Sequence, residues 1–437
     1  MQTLKKIVVV LLLAAFSACT FSNTDAGDVP TMDQLAERYV KALLKLGQYD
    51  SDIVDAYYGP EEWKPTGPIA DSMLADEFLI EFKSIQEQLM AQDPEKLSAD
   101  DKRRLEMFKK QVLAALTKVE MMQGKKFSFD EEAKLLYDAE PPHYKLEHFD
   151  AILKDIDKQL PGKGSITKRW DLYRAKFEIP KHKLDVVFKA AIEEARKRTN
   201  ARYELPAQEN FKLEFVTDKA WSGYNYFQGK GYSLIQINTD FPIYIERAID
   251  LASHEGYPGH HVFNVLLEQN LVNEKGWKEY SIYPLFSPQS LIAEGSANFG
   301  IDVAFPADQR IQFEKEVLFP LAGLNPAEAD RYYAILKNIA KLDFAGNEAA
   351  RRYLNGEINR EQAANMLVKY NLYTKEKALQ RTRFMDKYRS YVINYNLGQE
   401  LVKKYIESNG GISKNPNRRW ELFEELLSNP YSASMLK

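Results

Sequence analysis

Thiols are almost absent from this chain. Its 437 residues include one cysteine, Cys19, so no disulfide framework within the chain is possible. Histidine is scarce too, with six in all, and three of these fall between positions 254 and 261. An excess of either charge is missing: 59 Lys and Arg against 63 Asp and Glu leave a formal net charge of −4. That balance carries no electrostatic footprint for nucleic acid. Long apolar runs are missing apart from one, Ile7 to Phe16, which is too short to span a bilayer. What is present is core material. Hydrophobic residues make up 45% and aromatics 12%, which excludes a wholly disordered chain. The length fits one large domain or about three of ordinary size.

The apolar run follows Lys5 and Lys6 and ends in Ser17, Ala18 and Cys19, the layout of a secretory signal. This stretch resembles the bacterial lipoprotein box, although Phe16 is unusual there. The resemblance implies removal of residues 1–18, lipidation of Cys19 and a membrane anchor at the new N-terminus. Thr20, rather than Asp, then points to the outer membrane. Residues 19–30 read as a flexible tether of small and polar residues. An ordinary secretory signal with an incidental cysteine is the alternative.

The rest predicts a mainly α fold. We expect one large helical domain over 31–437, with an N-terminal lobe (31–145) and a C-terminal lobe (146–437) joined near AEPPHYKLEH (139–148). Helical stretches are expected at 31–47, 70–94, 98–122, 180–201, 327–350 and 374–407. Ser98 with Asp101, Ser128 with Glu131, Asn325 with Glu328 and Asn359 with Gln362 read as helix starts of the capping-box type. Leu105, Phe108, Val112, Leu116 and Val119 recur at helical spacing and form a core face. Strand signals are few: FKLEFVTD (211–218) and YSLIQINTD (232–240) alternate and predict a short hairpin around WSGYNYFQGKGY. His143, His148 and His182 read as surface or structural residues.

Chemistry concentrates in DLASHEGYPGHHVFNVLLEQ. The usual zinc peptidase helix has His at i and i+4, so that two imidazoles meet one ion while the Glu after the first His reaches the attacking water. Here Pro258 occupies i+4, and the strict motif fails. Pro258 lacks an N–H and Gly259 is permissive, so the helix is expected to break or bulge between them. If two residues loop out, His260 joins His254 as second ligand; if three do, His261 does. Catalytic zinc usually takes three protein ligands. PQSLIAEGSANFGID (288–302) offers Glu294, a carboxylate in apolar surroundings, where an unpaired charge is costly. Asp302 is the alternative ligand, or a partner orienting a ligand imidazole.

HEGYPGHH followed by AEGSANFG resembles the bacterial family called domain of unknown function 885, a relative of the gluzincin metallopeptidases. The resemblance implies His254, His260 and Glu294 as ligands of one Zn²⁺ per chain, with Glu255 as general base. Ser296 stands where that family often has Trp. The tail YRSYVINYNLGQELV lacks the family's usual Pro-Gly.

These readings lead to an expected function, a zinc-dependent metallopeptidase of the bacterial envelope with a peptide as partner and no nucleic acid. Glu255 would take the proton of the attacking water and return it to the leaving amine. Tyr391 or Tyr395 would donate to the oxyanion, with His261 in reserve for substrate or transition state. Arg381 or Arg383 would hold a substrate carboxylate. The strand 232–240, through Gln236 and Asn238, would pair with an extended peptide. The alternatives are hydrolysis of a non-peptide amide and a non-catalytic metal-binding envelope lipoprotein.

Overall fold

A computed structural model describes residues 30–219 and 221–436. The expectations for the signal segment and Cys19 lie outside the described residues. Among those described, no helix is long and apolar enough to cross a membrane.

The fold is mainly helical, with two small sheets. Three N-terminal helices, Met32–Leu46, Ala75–Met90 and Ala99–Met122, pack around a core of their own. Leu105, Phe108, Val112 and Val119 are buried there, with Leu116 at its margin. Ile282 reaches into the same core from the far side of the chain. A larger core spans the remaining helices and includes Met107 and Ala114 from the other side of Ala99–Met122. That helix therefore serves two cores with two faces.

Helix starts follow the side-chain chemistry. Ser128 with Glu131 and Asn359 with Gln362 form reciprocal capping boxes. Ser98 caps the Asp101 N–H, but Asp101 answers on the Ser98 hydroxyl instead of the backbone. Asn325 caps only a short 3₁₀ turn, Pro326–Glu328.

Two expected helices are broken. The stretch 327–350 splits into Ala329–Ile339 and Asp343–Leu354. The stretch 374–407 splits into Lys375–Tyr388 and Ile393–Ser408, with Arg389 at φ 51° between them. The cause is distant in sequence. Buried Glu132 accepts from Arg389 Nε (2.6 Å), the Ser390 N–H (3.0 Å) and Ser390 Oγ (2.6 Å), and this pins the break.

The sheets also differ from expectation. β1 (Val54–Tyr57) pairs antiparallel with β5 (Ile282–Pro284). β2 (Asn210–Val216), β3 (Gly223–Phe227) and β4 (Tyr232–Asn238) form a sheet in the order β2-β4-β3. β2 runs parallel to β4, so 211–218 and 232–240 are not the arms of a hairpin; β3 and β4 are. The tight turn Phe227–Tyr232, with Gly229 and Gly231 at positive φ, makes β3 the closer partner.

Candidate metal centre

β4 leads through residues 239–245 into the helix Glu246–Leu251. The helix then widens into one π-helical turn, Ala252–Gly256, and stops at Tyr257, where the backbone becomes extended. Tyr257 and Pro258 loop out and a second helix, His260–Leu267, begins after Gly259. The Gly259 N–H donates to the Ser253 carbonyl at 2.9 Å. A Cβ at Gly259 would lie 2.0 Å from the His254 carbonyl oxygen. Only glycine lets the returning chain pass so close, and this passage brings His260 back over His254.

Glu294 comes from the buried helix Pro288–Ala304. That helix meets Ile393–Ser408 backbone to backbone: a Cβ on Gly295 would lie 2.3 Å from the Gly398 carbonyl carbon. The contact brings the Tyr391–Tyr395 segment against Glu294.

Three ligand-type atoms converge. His254 Nε2 and His260 Nε2 are 3.1 Å apart, and Glu294 Oε2 lies 3.2 and 3.5 Å from them. Donor atoms of a tetrahedral site with bonds of about 2.0–2.1 Å are spaced roughly 3.3–3.4 Å apart. Glu294 Oε2 is buried and has no hydrogen-bond partner among the described residues. An orphaned carboxylate oxygen facing two imidazole nitrogens fits a divalent cation. Glu255, with His254 and His260, has ligand-type atoms within 4.8 Å of one another. Its Oε1, however, packs where a Cβ on Gly223 would come within 2.6 Å, beside β3. Glu294 is thus the better third ligand, and Glu255 stands at the side.

The supports are equally specific. Asn298 Oδ1 accepts from His254 Nδ1 at 2.9 Å and leaves Nε2 free, while Asn298 Nδ2 donates to the Tyr395 carbonyl. Asn298 lies one turn beyond Glu294, inside the AEGSANFG segment, and i+4 spacing was the signal that could have found it. Asp302 does not take this role: its neighbours are Arg310, Lys403, Arg419 and Asp250. Tyr391 donates its one proton to Glu294 Oε1 at 2.8 Å, so it positions that carboxylate and cannot serve as oxyanion donor. Tyr395 lies in the field of Glu294 and Glu255 and remains the available phenol.

His261 faces away from these three atoms and is fully buried. Its Nδ1 meets Ser233 Oγ at 2.8 Å and its Nε2 meets Glu209 Oε2 at 2.9 Å. Tyr257 and Arg196 also donate to Glu209. His261 is therefore neither ligand nor catalytic reserve. Gln236 and Asn238 do not offer a free edge either, since β4 is the central strand. Gln236 donates to Glu214, and Asn238 to the Lys219 and Trp221 carbonyls. Arg381 lies beside the Tyr395 ring at 5.8 Å and acts with Arg247 and Arg174 on Lys377. Arg383 is exposed and outside the cluster.

The free edge nearest the pocket belongs to β3. The Ser222 carbonyl accepts from Asn238 N–H and the Gln228 N–H donates to Tyr232, so the backbone groups of Gly223, Asn225 and Phe227 point outward. Asn225 Nδ2 donates to the Glu255 carbonyl at 2.7 Å, tying this edge to the ligand turn.

Electrostatics match a cation site. Burial alone would lower His260, but Glu294, Glu255 and Asp55 raise it to about 9. Burial works to raise Glu294, yet the two imidazoles hold it well below the carboxylate range. Burial prevails at Glu255, whose carboxyl is raised despite His254 and His260.

No family model matches the chain, and no curated protein matches it. Its fold resembles a solved structure described as "the putative lipoprotein from Colwellia psychrerythraea", with a TM-score of 0.52 and 14% sequence identity. The match covers 84% of this chain and 66% of that one. At that identity the likeness is one of fold, and the chain spans a little under two thirds of the other's length.

Proposed function

We propose that this protein is a zinc-dependent metallopeptidase of the bacterial envelope, related to the domain of unknown function 885 and anchored through Cys19. The convergence of His254 Nε2, His260 Nε2 and Glu294 Oε2 within 3.1–3.5 Å carries this reading. A cation held there would polarise a carbonyl and lower the pKa of a water toward about 7. His/His/carboxylate donors favour zinc among the common ions.

The chain's own residues supply the rest. Glu255, next to the first ligand, takes the proton of the attacking water and delivers it to the leaving amine. Its raised affinity for a proton suits both halves of that task. Tyr395 donates to the developing oxyanion. The outward backbone groups of β3 receive an extended peptide by strand addition, and the missing Cβ of Gly223 lets the Glu255 carboxylate pack against this strand. That edge favours a peptide over a small amide. The lipid anchor is supported by the lipoprotein of similar fold.

The test uses the chain starting after Cys19. Elemental analysis should find about one zinc per chain, lost in His254→Ala, and a peptide panel should be cleaved by the zinc-loaded protein. Absence of metal after reconstitution, or a loaded protein inert on every peptide, would sink the reading.

A further inference from the structure

β1 carries an irregularity that bears on the substrate. Val54 pairs with Pro284 and Ala56 with Tyr283, so Asp55 is the extra residue of a β-bulge. A bulge re-aims a side chain out of the normal alternation. Here the half-buried Asp55 carboxylate acts on His260, Glu294 and Glu255. Tyr226, Tyr283 and Tyr388 also lie in its field. No hydrogen bond or ion pair holds Asp55 among the described residues, and the nearby Lys387 is paired with Asp52 at 3.0 Å. Even a divalent ion on Glu294 would leave Glu255 and Asp55 as two further carboxylates close to one another.

The charges along β3 have a direction. Asp55 lies near Tyr226, toward the end of the strand. Beyond the Gly223 end stand the cations Lys377, Arg381, Arg247 and Arg174, with Lys377 Nζ 4.7 Å over the Phe241 ring. Arg247 and Arg174 have acidic partners in Asp250 and Asp171, whereas Lys377 and Arg381 form no ion pair among the described residues. A peptide laid antiparallel to β3 would point its amino end at Asp55 and its carboxyl end at these cations. Gly223 and Tyr226 are three residues apart, about 10 Å of extended chain.

We infer that Asp55 receives the α-ammonium group of the substrate and so makes the enzyme an exopeptidase acting near free amino termini. This rests on the peptidase reading above. The recognised group is a cation, whose other source would be a Lys or Arg side chain.

The experiment compares short peptides with free and N-acetylated amino termini, each with neutral or Lys first residues. They are assayed with the zinc-loaded wild type, Asp55→Asn and Asp55→Glu. Acetylation should lower kcat/KM at least tenfold in the wild type, mainly through KM. Asp55→Asn should lose that preference while keeping its zinc, and Asp55→Glu should retain part of it. Equal cleavage of free and acetylated peptides would overturn the inference. A preference that follows a Lys side chain on acetylated peptides would overturn the amino-terminal assignment. Loss of zinc in Asp55→Asn would make Asp55 a metal ligand instead. Calorimetric binding of the same peptides to zinc-loaded Glu255→Gln separates the two proposals. Tighter binding of the free amine with no turnover by the wild type would sink the peptidase and leave Asp55 in its role.

Discussion

His260 and His261 are neighbours in sequence and belong to two different polar regions. In the pocket, His260 Nε2 faces His254 Nε2 and Glu294 Oε2, an oxygen with no hydrogen-bond partner. In the cluster behind it, both nitrogens of His261 are occupied, and Glu209 binds His261, Tyr257 and Arg196. His261, Tyr257 and Arg196 pull Glu209 down to about 2 although burial works to raise it. Burial makes His261 harder to protonate. A saturated buried network is structural, because every polar atom has already replaced its water. An unsaturated one calls for something to complete it.

The sharpest way to break that contrast is to remove a ligand. Glu294→Ala should lower zinc affinity roughly a hundredfold or more, read by chelator competition, whereas His261→Ala should keep the metal. Zinc bound equally by both would end the distinction. Glu255→Gln comes next: kcat should fall by about 10²–10⁴ with zinc content unchanged. Full activity in that variant would remove Glu255 as base.

On the saturated side, Glu209→Ala strands buried donors on His261 and Tyr257. It should cost about 2–4 kcal/mol in urea unfolding of the metal-free chain. An unchanged midpoint would make the cluster incidental. Asn298→Ala acts through His254 and should weaken zinc about tenfold without comparable loss of stability. A destabilised variant with unaltered zinc affinity would place Asn298 in the packing instead.

The smallest effect probes an exception. Glu314 Oε2 is also buried without a partner among the described residues, yet no ligand group converges on it. Burial outweighs Arg310 there and pushes the carboxyl up to about 8. A carboxyl raised in the folded state stabilises fully below its ordinary range and loses that contribution as pH climbs toward 8. Glu314→Gln should match the parent at pH 5 and exceed it by about 1–2 kcal/mol at pH 8.5, measured by urea midpoints. Parallel pH curves for the two proteins would refute the assignment. Protonation is thus a second way to complete a lone buried oxygen, and only converging ligands single out the first.

Much of this was legible in the chain. Helical spacing at 105–119 and the capping pairs at Ser128 and Asn359 are local and survived folding. So did the broken helix at Pro258-Gly259, because the missing N–H and the close pass at Gly259 act within seven residues. The two split helices were not legible. The break at Arg389 is made by Glu132, more than 250 residues away. The hairpin misreading has the same origin: alternation marks a strand but does not name its partner. Nor did alternation mark Asp55, since a bulge is defined only against the opposing strand.

By itself, then, the sequence determined a mainly helical chain, a histidine pair around a forced break and a short list of carboxylates to join them. Those features depend on backbone chemistry within a turn or two. Tertiary structure decided which adjacent histidine faces Glu294, that Asn298 rather than Asp302 orients His254, and that β3 rather than β4 lies at the edge of the sheet. Each of these depends on groups brought together from distant parts of the chain. Close helix contact, as at Gly295 and Gly398, selects among them by shape and burial.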